Sequence, residues 1–432
     1  MSEKFISIQE AIKKGSGKIS IRGWIHRERG SNKLKFIVLR DSTNIIQCVL
    51  PKEKFEKQWN DIDKLLIESS IEIHGQIKKE PRAPTNYEVH AEKINIIQTA
   101  EPFPIAKDQS PEFLLDNRHL WLRSRKMVAV MKIRHTILDA FREHYKNKGF
   151  FEFSPPILQP TQCEGGSTLF PVKYYNETVY LAQTAQLYSE AMIFALEKIF
   201  LISPTFRAEK SKTSRHLSEF WMAEMEAAWM DLDELQNDIE ELIKHIVKNV
   251  LKNNKEELKT LERDIKKLEP VAKNPFKRMT YTEVLEFLKK KEKIKTPWGK
   301  DLRTIEEDKL SAHFDVPVIV TKYPKEVMAF YKPKDPKNSK VALCLDVIAP
   351  EGYGEIIGGS QRDLNIEDMK KILKKEGEDL KNYEWYFDSR KYGSVTHSGH
   401  GMGVERVVSW ICGLDNIKDA IPFPRTMLRW KP

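Results

Sequence analysis

The period of the hydrophobic pattern changes along this chain and divides it. Through residues 1–100 apolar positions alternate with polar ones: 19–25 reads ISIRGWI, 71–77 repeats the alternation, and 87–97 closes the series. Residues 35–39 and 45–50 flank a turn signal at 41–44, so this stretch predicts five strands, with helical spacing over 52–66 between the third and fourth. A proline-containing connector, TAEPFPIAKDQSP at 99–111, follows. From Asn117 the period becomes helical, with Val130, Ile133, Ile137, Leu138 and Phe141 on one face, and Gly149 ends the run. The extended FFEFSPPIL comes next, then YLAQTAQLYSEAMIFAL, a strand that turns helical near Gln186. Residues 206–229 predict an antiparallel hairpin in which Arg207 and Glu209 share one face, joined on return by Phe220, Met222, Glu224 and Glu226. Residues 231–295 read as charged, mostly solvated helices. Strands return from Val316, and HSGHGMGVERVVSWICGL closes as a glycine-rich strand entering a helix whose apolar face is Val407, Val408 and Ile411.

Five strands with a helix between the third and fourth is the order of an OB-fold barrel, which binds single-stranded nucleic acid by stacking bases on aromatics in a basic groove. Phe36, beside Lys33, Lys35 and Arg40, suits the stack, and Gln47 is placed to read a base edge; on its residues alone Phe36 fits the barrel core better. At 432 residues the chain has room for a barrel over 1–100, a linker over 101–118 and a second domain over 119–432. The net charge of +9 favours a polyanionic partner. No apolar run reaches the ~20 residues of a membrane span, and the opening MSEKFISIQEA lacks the apolar stretch of a signal peptide. Cys48, Cys163, Cys344 and Cys412 are scattered without a CxxC pair, which predicts a reduced, cytoplasmic protein with no zinc site and no membrane partner.

The hairpin carries the first chemistry. An arginine at Arg207 grips phosphate through paired donors, Phe220 offers a ring to a base, and the loop 210–215 carries three cations. Asp346 and Glu355 flank the turn 350–354, a carboxylate pair suited to Mg²⁺. Gly358–Gly359 lets a ligand approach the backbone, and Arg362 follows on the same surface. The alternate glycines before Arg406 read as a second phosphate grip, yet they match neither the P-loop nor the dinucleotide fingerprint. Gly165–Gly166, beside Glu164, predicts a mobile lid.

In this order the blocks resemble the catalytic domain of class II aminoacyl-tRNA synthetases. GFFEFSPPIL at 149–158 is similar to motif 1, FRAE…RHLSEF to motif 2 and GHGMGVER to motif 3. RHLWLR at 118–123, Glu164–Gly166 and GEIIGGSQR resemble the aspartyl/asparaginyl branch. The resemblance implies an α+β chain, with an N-terminal OB-fold barrel that binds the anticodon and an antiparallel catalytic sheet flanked by helices. It implies ATP and tRNA as partners and a homodimer through motif 1. Arg207 would bind the α-phosphate and the transition state, His216 with Arg215 the γ-phosphate, and Arg406 the same phosphate from the opposite side. Phe220 would stack on adenine and Glu209 would sit at the adenine or the tRNA end. Asp346 and Glu355 would hold Mg²⁺ on ATP, with Gly358 standing where the family often has a hydroxyl. Glu164 and Gln186 would orient the amino acid, with His397 close by, and Phe36, Gln47 and Glu88 would touch the anticodon.

Which amino acid follows from departures inside QTAQLYSE and the second hairpin strand. Aspartyl members place a lysine where this chain has Ser189, and an aspartate where it has Glu224. Arg362 can donate to an amide oxygen and Glu224 can accept from an amide NH₂. Against aspartate, Glu224 sets carboxylate against carboxylate with no lysine to compensate. These residues predict L-asparagine and the asparagine tRNA as substrates. The alternatives are an aspartyl enzyme that also charges the asparagine tRNA, which Ser189 and Glu224 oppose, an asparagine synthetase on the same domain, which the barrel opposes, and a catalytically inactive RNA-binding paralogue, which Arg207, Glu355 and Arg406 oppose.

Overall fold

The computed structural model describes residues 4–164, 168–210 and 215–432. The Gly165–Gly166 part of the expected lid and Lys212 of the cationic loop lie outside the described residues. The chain divides into two compact units, Met1–Leu114 and Leu115–Pro432.

In the first unit β1 (Gly17–Ser31), β2 (Leu34–Arg40), β3 (Ile45–Pro51), β4 (Ser70–Lys79) and β5 (Tyr87–Gln98) form a closed barrel in the order β1-β2-β3-β5-β4. Their alternation delivers Ile21, Ile37, Leu39, Ile73 and Val89 to one buried core. A helix that the alternation does not foretell, α1 (Ile8–Lys14), precedes the barrel; Ser7 and Glu10 close a capping box at its start and Gly15 ends it with φ +71°. The helix expected over 52–66 is shorter and broken. Two single 3₁₀ turns lead to one α-helical turn, Trp59–Asp63, and none of the three starts has a side-chain cap. Lys35 corrects the expected groove: it points inward with Ile37 and Leu39, and its ammonium donates to the Asp63 and Leu65 carbonyls at 2.8 and 3.3 Å. It satisfies the end of that short helix instead of facing a nucleic acid.

The second unit is built on a sheet of eight strands. In chain order they are β6 (Phe151–Glu152), β7 (Lys198–Phe206), β8 (Glu219–Ala228), β9 (Lys277–Thr280), β10 (Val318–Thr321), β11 (Cys344–Ala349), β12 (Gly354–Gln361) and β13 (His397–Gly403). They lie in the order β9-β10-β11-β12-β13-β8-β7-β6, antiparallel except at the two edge pairs. One main core joins Met225 and Ile357 of the sheet to α2 (Arg125–Asn147), α4 (Leu232–Asn253) and α5 (Val404–Cys412), leaving the other face of the central strands for the site. Between α2 and α4, α3 (Gln186–Leu196) begins at Gln186. The solvated reading of 231–295 fails for α4. Leu235, Ile239, Leu242, Ile246 and Val250 recur at helical spacing and are fully buried. All four cysteines are free and buried. Among the described residues no helix is long and apolar enough to cross a membrane.

Candidate active site

The site stands on β8, β12 and β13, whose registers place Glu226 opposite Gly399 and Glu224 opposite Gly401. A Cβ on Gly399 would stand 2.0 Å from the Glu226 carboxylate, and one on Gly401 2.5 Å from the Met222 methyl. Gly399 and Gly401 therefore clear room for side chains of the neighbouring strand, while Gly401 and Gly403 also line the cavity that holds Arg406.

At one end a cavity is lined by Arg207, Glu209, Arg215, His216, Phe220, Glu355 and Arg406. The hairpin strand stops at Phe206, so Arg207 and Glu209 lie just beyond it, with the Arg207 backbone N–H on the Ser218 carbonyl at 3.0 Å. The Arg207 guanidinium lies 5.5 Å over the Phe220 ring, and its Nε is buried with no acceptor among the described residues. Such a donor is prepared for an anion. Nε2 of His216 stands 3.9 Å from the Glu209 carboxylate; burial, then the Arg406 charge, pulls its pKa down. Arg406 donates to the Glu355 carbonyl at 2.6 Å and pairs with its carboxylate at 3.3 Å. Arg215 is pinned to Asp308 at 2.8 Å and to the Gly352 carbonyl. Glu405 is structural, pairing with Arg134 at 2.7 Å and accepting from the Trp221 backbone at 2.9 Å.

Asp346 and Glu355 converge on the bare face of Gly358. A Cβ there would lie 3.1 Å from one Glu355 oxygen and 3.6 Å from Asp346. Burial and then the Glu355 charge hold Asp346 well above the usual carboxylate range. Asp301 and Glu307 add to the same field, and burial followed by Glu355 raises Glu307 to about 7. Neither residue carries a sequence signal, since both lie in a stretch without a motif. Oxygen donors that repel one another fit a hard cation such as Mg²⁺. Among the described residues no group of three His, Cys, Asp or Glu side chains forms a metal cage.

Next to this lies a second cavity, lined by Glu164, Gln186, Ser189, Glu224, Tyr331 and Arg362 among others. Glu224 accepts from Thr184 Oγ1 at 2.7 Å and from the Ala185 backbone N–H at 3.0 Å, where α3 begins. Burial raises its pKa to about 7 despite those donors. The Ser189 hydroxyl is buried with no partner among the described residues. Glu164 accepts from the Tyr331 hydroxyl at 2.6 Å. Arg362 donates to both Glu226 oxygens, at 2.9 and 2.8 Å, and to Ser360 at 2.9 Å. Burial alone would lower its pKa, and Glu226 overrides that, so the guanidinium stays charged. Glu226, on the same face as Glu224, was given no role by the sequence, although the shared parity was visible. His397 does not reach this cavity. It is fully buried behind Arg362, between the Val395 carbonyl at 2.7 Å and Glu190 at 3.1 Å, so a supporting place replaces the expected contact with the amino acid.

On the barrel, Phe36, Gln47 and Glu88 meet. Gln47 donates to Glu88 at 2.9 Å across the parallel β3–β5 pair, and the Arg29 guanidinium lies 5.0 Å over the half-buried Phe36 ring. His90, 2.7 Å from Glu88, completes the group; sequence reading passed over it and Arg29.

The family profile described as class II tRNA synthetases (D, K and N) matches residues 110–427, and that of the OB-fold nucleic acid binding domain matches 19–97. The asparagine–tRNA ligase of Thermococcus gammatolerans is 48% identical over 96% of both chains, and that of Thermoplasma acidophilum 46% identical over 99% of this chain and 100% of its own. Among solved structures, the Pyrococcus horikoshii asparaginyl-tRNA synthetase complexed with asparaginyl-adenylate superposes with a TM-score of 0.95 at 43% identity, over 99% of this chain and 100% of that one.

Proposed function

The chain belongs to the class II tRNA synthetases of the D, K and N group, among the asparagine–tRNA ligases, and on that premise we propose how its residues do the work. The enzyme activates L-asparagine with ATP and transfers it to the asparagine tRNA. We assign anticodon binding to 1–100, a hinge to 101–118 and catalysis to 119–432.

In the first step a substrate carboxylate oxygen attacks the α-phosphorus and pyrophosphate leaves. In the second, the terminal hydroxyl of the tRNA attacks the adenylate carbonyl and AMP leaves. No side chain serves as a covalent nucleophile, so positioning and charge stabilisation carry the rate. Arg207, with its unmatched buried Nε, takes the α-phosphate as charge develops there. His216, Arg215 and Arg406 gather the outer phosphates, Phe220 stacks on adenine, and Glu209 borders the adenine or the tRNA end. Asp346 and Glu355 would hold Mg²⁺, which would draw charge from the phosphates when bound. Glu164 and Gln186 orient the ammonium and carboxylate of the amino acid.

The observation that carries asparagine is the charge balance of the second cavity. Arg362 is already matched by Glu226, the Lys332 ammonium that also lines the cavity faces Asp346, Glu164 and Glu355, Ser189 adds a hydroxyl without a partner among the described residues and no cation, and Glu224 is an acceptor. An amide uses donor and acceptor here without bringing charge; a carboxylate meets carboxylates. Pyrophosphate exchange with each amino acid tests the reading: asparagine should dominate, and a comparable response to aspartate overturns it. The apolar edge at Phe151 and Leu158, 56% and 40% exposed, supports pairing of two copies through this segment, and four free thiols accord with a cytoplasmic setting.

A further inference from the structure

Beneath the amino-acid cavity lies a buried cluster that the mechanism above does not use, and its centre is Glu190. This side chain is fully buried one residue beyond Ser189 on α3. Its carboxylate accepts from Gln186 Nε2 at 2.9 Å and from the Tyr386 hydroxyl at 3.0 and 2.9 Å. It also pairs with the Arg390 guanidinium, lies 3.1 Å from Nε2 of His397, and stands 3.9 Å from Nε of Arg362. Three of its partners, Gln186, Arg362 and His397, were named from sequence as amino-acid ligands, and two of them line the cavity. Arg390 in turn donates to the Asp363 carbonyl at 3.1 Å, next to Arg362 in the chain.

A carboxylate left in such a place without cations would be costly. The neighbouring charges more than offset its burial and hold its pKa well below the usual range. The cluster then sets two guanidinium groups, Arg362 and Arg390, against two carboxylates, Glu190 and Glu226. Removing Glu190's charge, with the neighbouring groups keeping their protons, makes the surroundings of Arg362 one unit more positive. In low-dielectric surroundings that unit is felt across the short distance to the cavity.

Building on the asparagine reading, we propose that Glu190 is a positioning and charge-balancing residue for specificity: it fixes Gln186 and Arg362 from behind and cancels cationic charge that would otherwise admit aspartate. Glu190 touches no substrate; it acts through the side chains that do. Because aspartate and asparagine share their backbone groups and ATP, the ratio of their exchange rates isolates this effect from any general loss of activity.

The test is pyrophosphate exchange with both amino acids in Glu190→Gln, which keeps the shape and removes the charge. The ratio of kcat/KM for aspartate to that for asparagine should rise on the order of tenfold, while the KM for ATP stays put. The double variant Glu190→Gln, Arg390→Met removes one charge of each sign, and the ratio should return towards the parent value. A purely structural role would lower both amino acids together and leave the ratio of the single variant within about twofold of the parent's, which overturns the proposal. Should Glu190→Gln fail to fold, Arg390→Met, which removes a cation from the same cluster, decides instead: the ratio should fall several-fold below the parent's, and a ratio within about twofold of it overturns the proposal. Failure of the asparagine reading itself shows separately, as a parent enzyme that does not prefer asparagine.

Discussion

Replacing Glu224 by glutamine keeps the outline of the side chain and removes its charge, and the structure sets what that should do. Burial raises this carboxyl from its ordinary 4.5 to about 7, although Thr184 and the Ala185 N–H both donate to it. At about 1.36 kcal/mol for each pH unit between those values, keeping Glu224 ionised at pH 8 costs the fold about 3 kcal/mol. An acid with a raised folded pKa contributes stability that is full below 4.5 and lost as pH rises through about 7. Glutamine keeps an acceptor for one donor and turns its NH₂ towards the other, which takes back about 1–2 kcal/mol. Glu224→Gln should therefore gain about 1–2 kcal/mol at pH 8 and lose up to about 1 kcal/mol at pH 5, read as the difference from the parent in denaturant unfolding. The functional sign is opposite. Ionised Glu224 repels the side-chain carboxylate of aspartate, so the parent's aspartate-to-asparagine exchange ratio should rise as pH falls from 8 to 6, and the variant's ratio should be high and flat. His216 and the other ATP-side groups cancel in that ratio. A parent ratio that is flat from pH 6 to 8, or a variant that keeps the parent's slope, refutes the assignment of Glu224 to specificity.

Arg207→Gln should lower kcat for pyrophosphate exchange on the order of a hundredfold with little change in Tm, because its buried Nε has no acceptor to lose; a comparable fall in Tm would make it structural. Phe36→Ala should cost on the order of tenfold in kcat/KM for tRNA charging, the worth of one lost stack, and leave pyrophosphate exchange unchanged; a parallel loss in both assays contradicts a tRNA contact. Asp346→Asn should raise the Mg²⁺ concentration for half-maximal exchange several-fold while raising Tm, since it removes a buried charge held beside Glu355; an unchanged Mg²⁺ dependence rules it out as a ligand.

What could be read from the residues was whatever depends on a strict local period. The barrel strands bury one face, so ISIRGWI and its counterparts announce their register, and the parity of Phe220, Met222, Glu224 and Glu226 did put all four on the cavity face. Lys35 shows where the rule fails. Its inward parity was as visible as that of Ile37, but the carbonyls that satisfy it come from Asp63 and Leu65, on a helix too short and weakly capped to foretell. The same holds for Glu190 and Arg390, which meet across 200 positions, and for α4, whose charges hid a complete apolar stripe. Long-range pairs of this kind leave no periodic trace.

The glycine strand joins these two kinds of information. Three alternate glycines before Arg406 suggest a surface that approaches a ligand, and taken alone that reading places phosphate there. The register with β8 changes its meaning, since Gly399 lies against Glu226, a carboxylate that needs the space of a missing Cβ to reach Arg362. Alanine at 399 would have to displace that carboxylate from a Cβ distance of 2.0 Å, separating a buried ion pair at a cost of about 3–5 kcal/mol if a partner is left alone. Hence the strand that resembles an ATP-binding motif also bears on the choice of amino acid. It does so through room made for its neighbour: with the roles proposed above, phosphate chemistry falls at the Arg406 end of β13, and specificity toward Gly399.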